Sequence, residues 1–111
     1  MRRGEIYYAD LNPTVVSEIN KRRPVLIVSN EANNRAASTI TILPITSSGS
    51  RVYPFEVLLS PKHSGLPKPS KAQAPQIRTI SKERIRGNGL SRLNPALMRA
   101  VEDALRLHLE L

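Results

Sequence analysis

A mostly β fold closed by a C-terminal α-helix is the class that this 111-residue chain predicts, and three observations carry the prediction. The first three quarters consist of short apolar runs interrupted by Pro, Gly, Asn and Ser, the pattern of a small barrel or sandwich. The last segment changes period: Leu97, Val101, Leu105 and Leu109 recur every fourth residue, as on the apolar stripe of a helix. The length suits one domain over residues 1–111, with a modest core that needs no covalent staple.

Each element has its own justification. "GEIYYAD" is a strand, and "LNPTVVSEINK" is a polar connection too long for a tight turn. "RPVLIVS" is the clearest strand, with Pro24 tolerated at its start because the missing ladder donor costs least there. "NEANNRAAS" is a loop with room for one helical turn. "TITILPIT" is a third strand in which Pro44 implies an edge or a bulge. "YPFEVLLS" places Phe55, Val57 and Leu59 on one face of a half-buried strand. "PKHSGLPKP" reads as a turn or loop, "SKAQAPQIRTIS" as two strand pieces broken at Pro75, and "RGNGLSR" as a turn-rich connection. Asn94 then caps a helix whose first position takes Pro95. Arg99 and Asp103, Glu102 and Arg106, and Arg106 and Glu110 sit four apart on its polar side.

Composition narrows the chemistry. Cysteine is absent, which excludes disulfides and thiolate metal sites and suits a reducing compartment. His63 and His108 are the only imidazoles, and there is no Cys/His cluster to hold a metal; no cofactor is expected. The opening "MRRGEIYYADL" has no apolar stretch behind its charges and no window approaches a membrane span, so the expectation is a soluble cytoplasmic protein. The net charge is +8 and unevenly placed, with Glu83 the lone acid between Lys62 and Arg92. Such asymmetry favours an anionic partner, nucleic acid first and an acidic protein segment second.

Within "INKRRPVLIV", Arg22 and Arg23 stand at the mouth of a buried strand. A charge there is costly unless it reaches water or a partner. Arg23 either snorkels outward or borders a site that meets an anion, and the residue alone leaves both open.

Four landmarks in order, "RRGEIYYADLNPT", "SE…RRPVLIVS", "LPITSS" followed by "YPFEVLLS", and "QIRTISKERI", span nearly the whole chain. Together they resemble the MazF/PemK-type toxins, the mRNA interferases of type II toxin–antitoxin pairs. That resemblance implies a small SH3-like or PemK-like β-barrel, a homodimer, and an RNA groove across its subunit interface. It implies metal-independent cleavage of single-stranded RNA at short sequence motifs, by attack of the 2′-hydroxyl, leaving a 2′,3′-cyclic phosphate and a 5′-hydroxyl. It also implies a cognate antitoxin that lays an acidic, mostly extended segment over the basic surface.

Under the resemblance Arg23, the arginine immediately before Pro24, carries over as the principal catalytic residue. A guanidinium suits the stabilisation of charge on a pentacovalent phosphorus better than it suits proton transfer, because its pKa lies far above neutrality. Thr46 matches the family's threonine and can donate to a non-bridging oxygen. Ser17 and Glu18 match a step in the first loop, where Glu18 can take a proton or anchor Arg23. Gln76 matches the family glutamine, and Arg78, expected on the same strand face, is a phosphate contact. Lys71, Arg84 and Arg86 complete the RNA-binding set.

The sequence departs from the family pattern in three places, the first being Ser17, which stands where some relatives carry His, so an imidazole base is missing there. "VVSEINKRR" has Val16 and Ile19 where many members carry glycine and a second glutamine, which implies a stiffer loop and altered RNA preference. Pro75 stands where some members place an acid, so a mechanism that needs that carboxylate cannot operate. Two other readings remain open on sequence: a basic module that binds RNA or antitoxin without cutting, and a CcdB-like gyrase poison. The second class uses a C-terminal Trp, and this chain has none.

Overall fold

A computed structural model describes residues 1–11, 22–47 and 51–111. The strands are β1 (Glu5–Asp10), β2 (Arg22–Ile27), β3 (Thr39–Ser47), β4 (Glu56–Leu59), β5 (Ser70–Gln73), β6 (Arg78–Ser81) and β7 (Ile85–Arg92). Helix α1 (Glu31–Ala36) follows β2, α2 (Pro61–Ser64) follows β4, and α3 (Pro95–Leu109) ends the chain. The sheet runs β4–β5–β3–β2–β1–β7, and β6 joins it beside β3. Every pairing is antiparallel.

Two cores follow from the two-residue period of β2 and β3. Leu26 pairs with Leu43 and faces Ile6, Ile45 and Leu59, under a lid of Met98, Val101 and Ala104 from α3. Val25 and Ile27 face the other way, against Ile40, Ile42 and Ile80. Burial on both faces explains why β2 reads as a continuous apolar run.

Strand β3 is forked. Its first half, Thr39 to Ile42, pairs with β6, and its second half, Ile45 to Ser47, pairs with β5. The β2–β3 ladder ends at Val25 opposite Pro44. Pro24 and Pro44 both lack an N–H, so neither can donate a ladder bond where the two strands part. Pro44 therefore marks a splay in a central strand and not the edge or bulge expected from sequence.

Several other local expectations change. The mostly β architecture with its C-terminal helix is as expected, and no ladder joins the two ends of the sheet among the described residues, so the expected small barrel is an open one. "NEANNRAAS" contains a short helix capped by Asn30, whose side chain accepts from the Asn33 amide. "PKHSGLPKP" contains the one-turn α2. "RGNGLSR" belongs to β7, where the register against β1 shifts between Ile6 and Tyr8 and Gly87 takes a left-handed φ of 71°. The glycine-rich run is a bulged strand, which a turn signature conceals.

Helix α3 begins as expected, with the Asn94 side chain accepting from the Leu97 amide at 2.8 Å and Pro95 in its first turn. Its buried stripe is Met98, Val101 and Ala104, while Leu109 is exposed. Among the anticipated polar pairs, Glu102 instead meets Arg3 at 3.0 Å, and Arg106 meets Asp103 at 3.3 Å, three residues away.

Candidate active site

The parting of β2 and β3 leaves a cleft of about 170 Å³. Arg23 and Pro24 form one wall with Tyr8 behind them; Ile45, Thr46 and Ser47 form the other. Leu66, Pro67, Lys68 and Ser70 close the end. Continuing the β2–β3 register by two residues brings Arg23 opposite Thr46, so alternation puts both on one face of the sheet. The same reasoning adds Lys71, the β5 partner of Thr46, and Arg78, the β6 partner of Ile42. Arg23 is exposed and Thr46 half-buried, which leaves a cation and a hydroxyl accessible at the end of an apolar strand pair.

The local sequence shapes the end of the cleft. Helix α2 stops at Gly65, which has φ of 76°. A Cβ there would come within 2.9 Å of the Leu90 carbonyl, so glycine alone fits the turn. The chain then runs through Leu66 to Lys68, which is flanked by Pro67 and Pro69 and anchored where Ser70 Oγ donates to the Lys68 carbonyl at 2.9 Å. Lys68, Tyr8, Ser47 and Ser70 are lining residues that the sequence reading did not single out. The paired prolines around Lys68 are the available signal, because they hold a cation on a stiff, extended segment.

The remaining sequence candidates fall into separate groups. Ser17 and Glu18 lie outside the described residues. Gln76 is exposed in a 3-10 turn over Ala74–Gln76, and β6 starts only at Arg78. The two therefore do not share a strand face as expected, because the turn containing Pro75 intervenes. Lys71 is held by Glu56 Oε1 at 3.0 Å, and its Nζ also donates to the Arg51 carbonyl at 3.0 Å. Burial would raise the Glu56 carboxyl, but the Tyr53 amide, Lys71 and Gln73 outweigh it and hold it below the usual carboxylate range.

Arg84 and Arg86 gather at the end of β1. Arg84 Nη1 donates to the Asp10 carbonyl at 3.0 Å, and Arg86 Nη2 lies 3.8 Å from Asp10 Oδ2. Arg86 Nη1 also donates to the Glu83 carbonyl at 2.7 Å. Asp10 in turn sits opposite Arg22 in the β1–β2 ladder. This cluster lies off the Arg23 face by alternation, since Asp10 and Arg22 are each one residue removed from the Ala9–Arg23 pair. Among the described residues no three His, Asp or Glu side chains gather as a metal-binding group.

A cation and a hydroxyl on opposite walls of a small cleft can hold a phosphodiester between them. The chain's relatives accord with that chemistry. The model of the PemK-like, MazF-like toxins of type II toxin–antitoxin systems matches residues 2–109. Endoribonuclease MazF9 of Mycobacterium tuberculosis is 45% identical over 116 residues, covering 100% of this chain and 98% of the relative. Endoribonuclease EndoA of Bacillus subtilis is 35% identical over 112 residues, covering 100% and 96% respectively. Among solved structures, an endoribonuclease in complex with its cognate antitoxin from a mycobacterial species superposes with a TM-score of 0.82 at 30% identity, over 100% of this chain and 96% of that one.

Proposed function

The chain belongs to the PemK-like, MazF-like toxin family of type II toxin–antitoxin systems, and on that premise we propose how its cleft cuts RNA. The protein is the endoribonuclease toxin of such a pair. Its substrate is single-stranded RNA, and its cognate antitoxin inhibits it through an acidic, extended segment laid over the basic surface. The solved toxin–antitoxin complex of a similar fold supports the partner. The whole chain acts as one domain in the cytoplasm, as a homodimer with the RNA groove shared between subunits.

The reaction needs no metal and uses the substrate's own nucleophile. The ribose 2′-hydroxyl attacks the adjacent phosphorus and loses its proton to Glu18. Arg23 binds the non-bridging oxygens and offsets the negative charge that grows on the pentacovalent phosphorus. Thr46 donates a hydrogen bond to one of those oxygens and fixes the line of attack. The bond from phosphorus to the 5′-oxygen breaks, that oxygen takes a proton from water, and the products are a 2′,3′-cyclic phosphate and a 5′-hydroxyl. Ser17, Gln76 and Arg78 contact the RNA on either side, and Lys71, Arg84 and Arg86 contribute positive potential more than direct bonds, given their internal partners.

The observation that carries this reading is the shared cleft of Arg23 and Thr46. A short RNA cut by the toxin, and the same RNA with a single 2′-deoxyribose at the scissile nucleotide, test it directly. The all-ribose strand should be cut in the presence of chelator and end in a cyclic phosphate, and the deoxy-substituted strand should stay intact. Cleavage of the deoxy-substituted strand at the same bond would overturn the mechanism.

A further inference from the structure

Next to the cleft, the segment between β3 and β4 carries an aromatic pair with no evident role in the core. Tyr53 is 42% exposed. Its ring stacks on Phe55, with centroids 5.3 Å apart and planes 4° from parallel. The exposed Arg51 lays its guanidinium carbon over the Tyr53 ring, 5.1 Å from its centre, as a movable cover that a base can displace, and Lys71 Nζ lies 5.9 Å from it. An exposed ring stacked on a second ring, with two cations within cation–π range, has the composition of a base-stacking platform.

The ring is also fixed in place. The Glu56 amide donates to the Tyr53 carbonyl at 2.8 Å, and the Tyr53 amide donates to Glu56 Oε1 at 3.0 Å. Lys71 bridges the same carboxylate to the Arg51 carbonyl, so both ends of the turn are tied to β5. A surface already held in its working geometry loses little freedom when a ligand settles on it. Since Lys71 is the register partner of Thr46, this platform stands beside the hydroxyl wall of the cleft.

We infer that Tyr53, backed by Phe55, is a stacking subsite for one unpaired nucleobase of the RNA, with Arg51 taking that nucleotide's phosphate. The inference rests on the RNA-cleaving reading above and adds a base-binding position to it. Every base has a π-face, so an aromatic platform with adjacent cations holds a single strand without demanding one sequence. Cations around the ring favour a nucleotide over an apolar peptide side chain, because the phosphate follows the base at fixed distance.

The test pairs Tyr53→Ala and Tyr53→Phe with a set of short RNAs, each abasic at one position near the cut. On intact RNA, Tyr53→Ala should lower kcat/KM by about tenfold to a hundredfold, mainly through KM. Tyr53→Phe, which keeps the ring, should recover most of that loss. On one abasic RNA alone, wild type and Tyr53→Ala should become equal, which identifies the stacked position. An equal loss on every abasic RNA, or no loss on intact RNA, overturns the inference while leaving the nuclease reading intact. If the wild type cuts no RNA, the nuclease reading falls, and the same series read as binding equilibria still decides the platform.

Discussion

Two residues without polar side chains do much to set the position of Arg23 and Thr46. Pro24 and Pro44 cannot donate to the ladder, and the strands separate where both occur. Arg23 and Thr46 thus line one cleft of about 170 Å³. A second residue-scale device is the Glu56–Lys71 pair under Tyr53. The Glu56 carboxyl titrates lower in the folded protein than in the unfolded chain. Its stabilising effect is therefore complete above the unfolded value of about 4.3 and is lost as pH falls through the lower folded value. Melting temperatures of wild type and Glu56→Gln, compared from about pH 6 downward, should converge as the wild type is acidified below that unfolded value. Curves that stay parallel would show that Glu56 gains nothing from its partners. Lys71 and Lys68 look alike in sequence, each a lysine in a basic stretch beside a strand. Only folding distinguishes them, because the acid that engages Lys71 lies in β4 while Lys68 is left at the mouth of the cleft.

At the scale of elements, α3 is the clearest case of local sequence agreeing with tertiary need. Its cap, its proline and its apolar recurrence all specify a helix, and its inner face closes the core over Leu26, Leu43 and Leu59. Asn94→Ala removes the bond to the Leu97 amide and should lower stability by about 1 kcal/mol, read by denaturant unfolding. RNA cleavage at a temperature where both proteins are folded should be unchanged, since α3 contributes nothing to the cleft lining. A large loss of activity without a loss of stability would place α3 in the site after all. Strands β1 to β6 were legible from apolar runs and alternation, although their boundaries moved. Strand β7 was not, because Gly87 and Gly89 carry a turn signature that the bulge against β1 and the Tyr7 ring overrule. Pro75 misled in a different way: it announces a break correctly but does not say that Gln76 stays within the turn.

The whole molecule couples a two-sided apolar sheet to a net charge of +8. Among the described residues no helix is long and apolar enough to cross a membrane. Charge of this size draws an anionic strand from a distance, and its contribution is screened by salt. For Arg23→Ala, which should bind without cutting, log affinity for a short RNA should fall linearly with log salt, by about 0.7 per phosphate neutralised. Affinity insensitive to salt would contradict a basic RNA surface. The resemblance to the toxin family spans nearly the whole chain, and the described residues of its landmarks fall mostly on β1, β2, β3, β4 and β6, so no single element could have supplied it. What ties these scales together is one guanidinium, and its removal is the most direct test. Single-turnover cleavage of one RNA by wild type and Arg23→Ala, with matched melting temperatures, should differ by about 10²-fold or more. Equal rates in the two proteins would contradict the assignment of Arg23 as the group that stabilises the reacting phosphate.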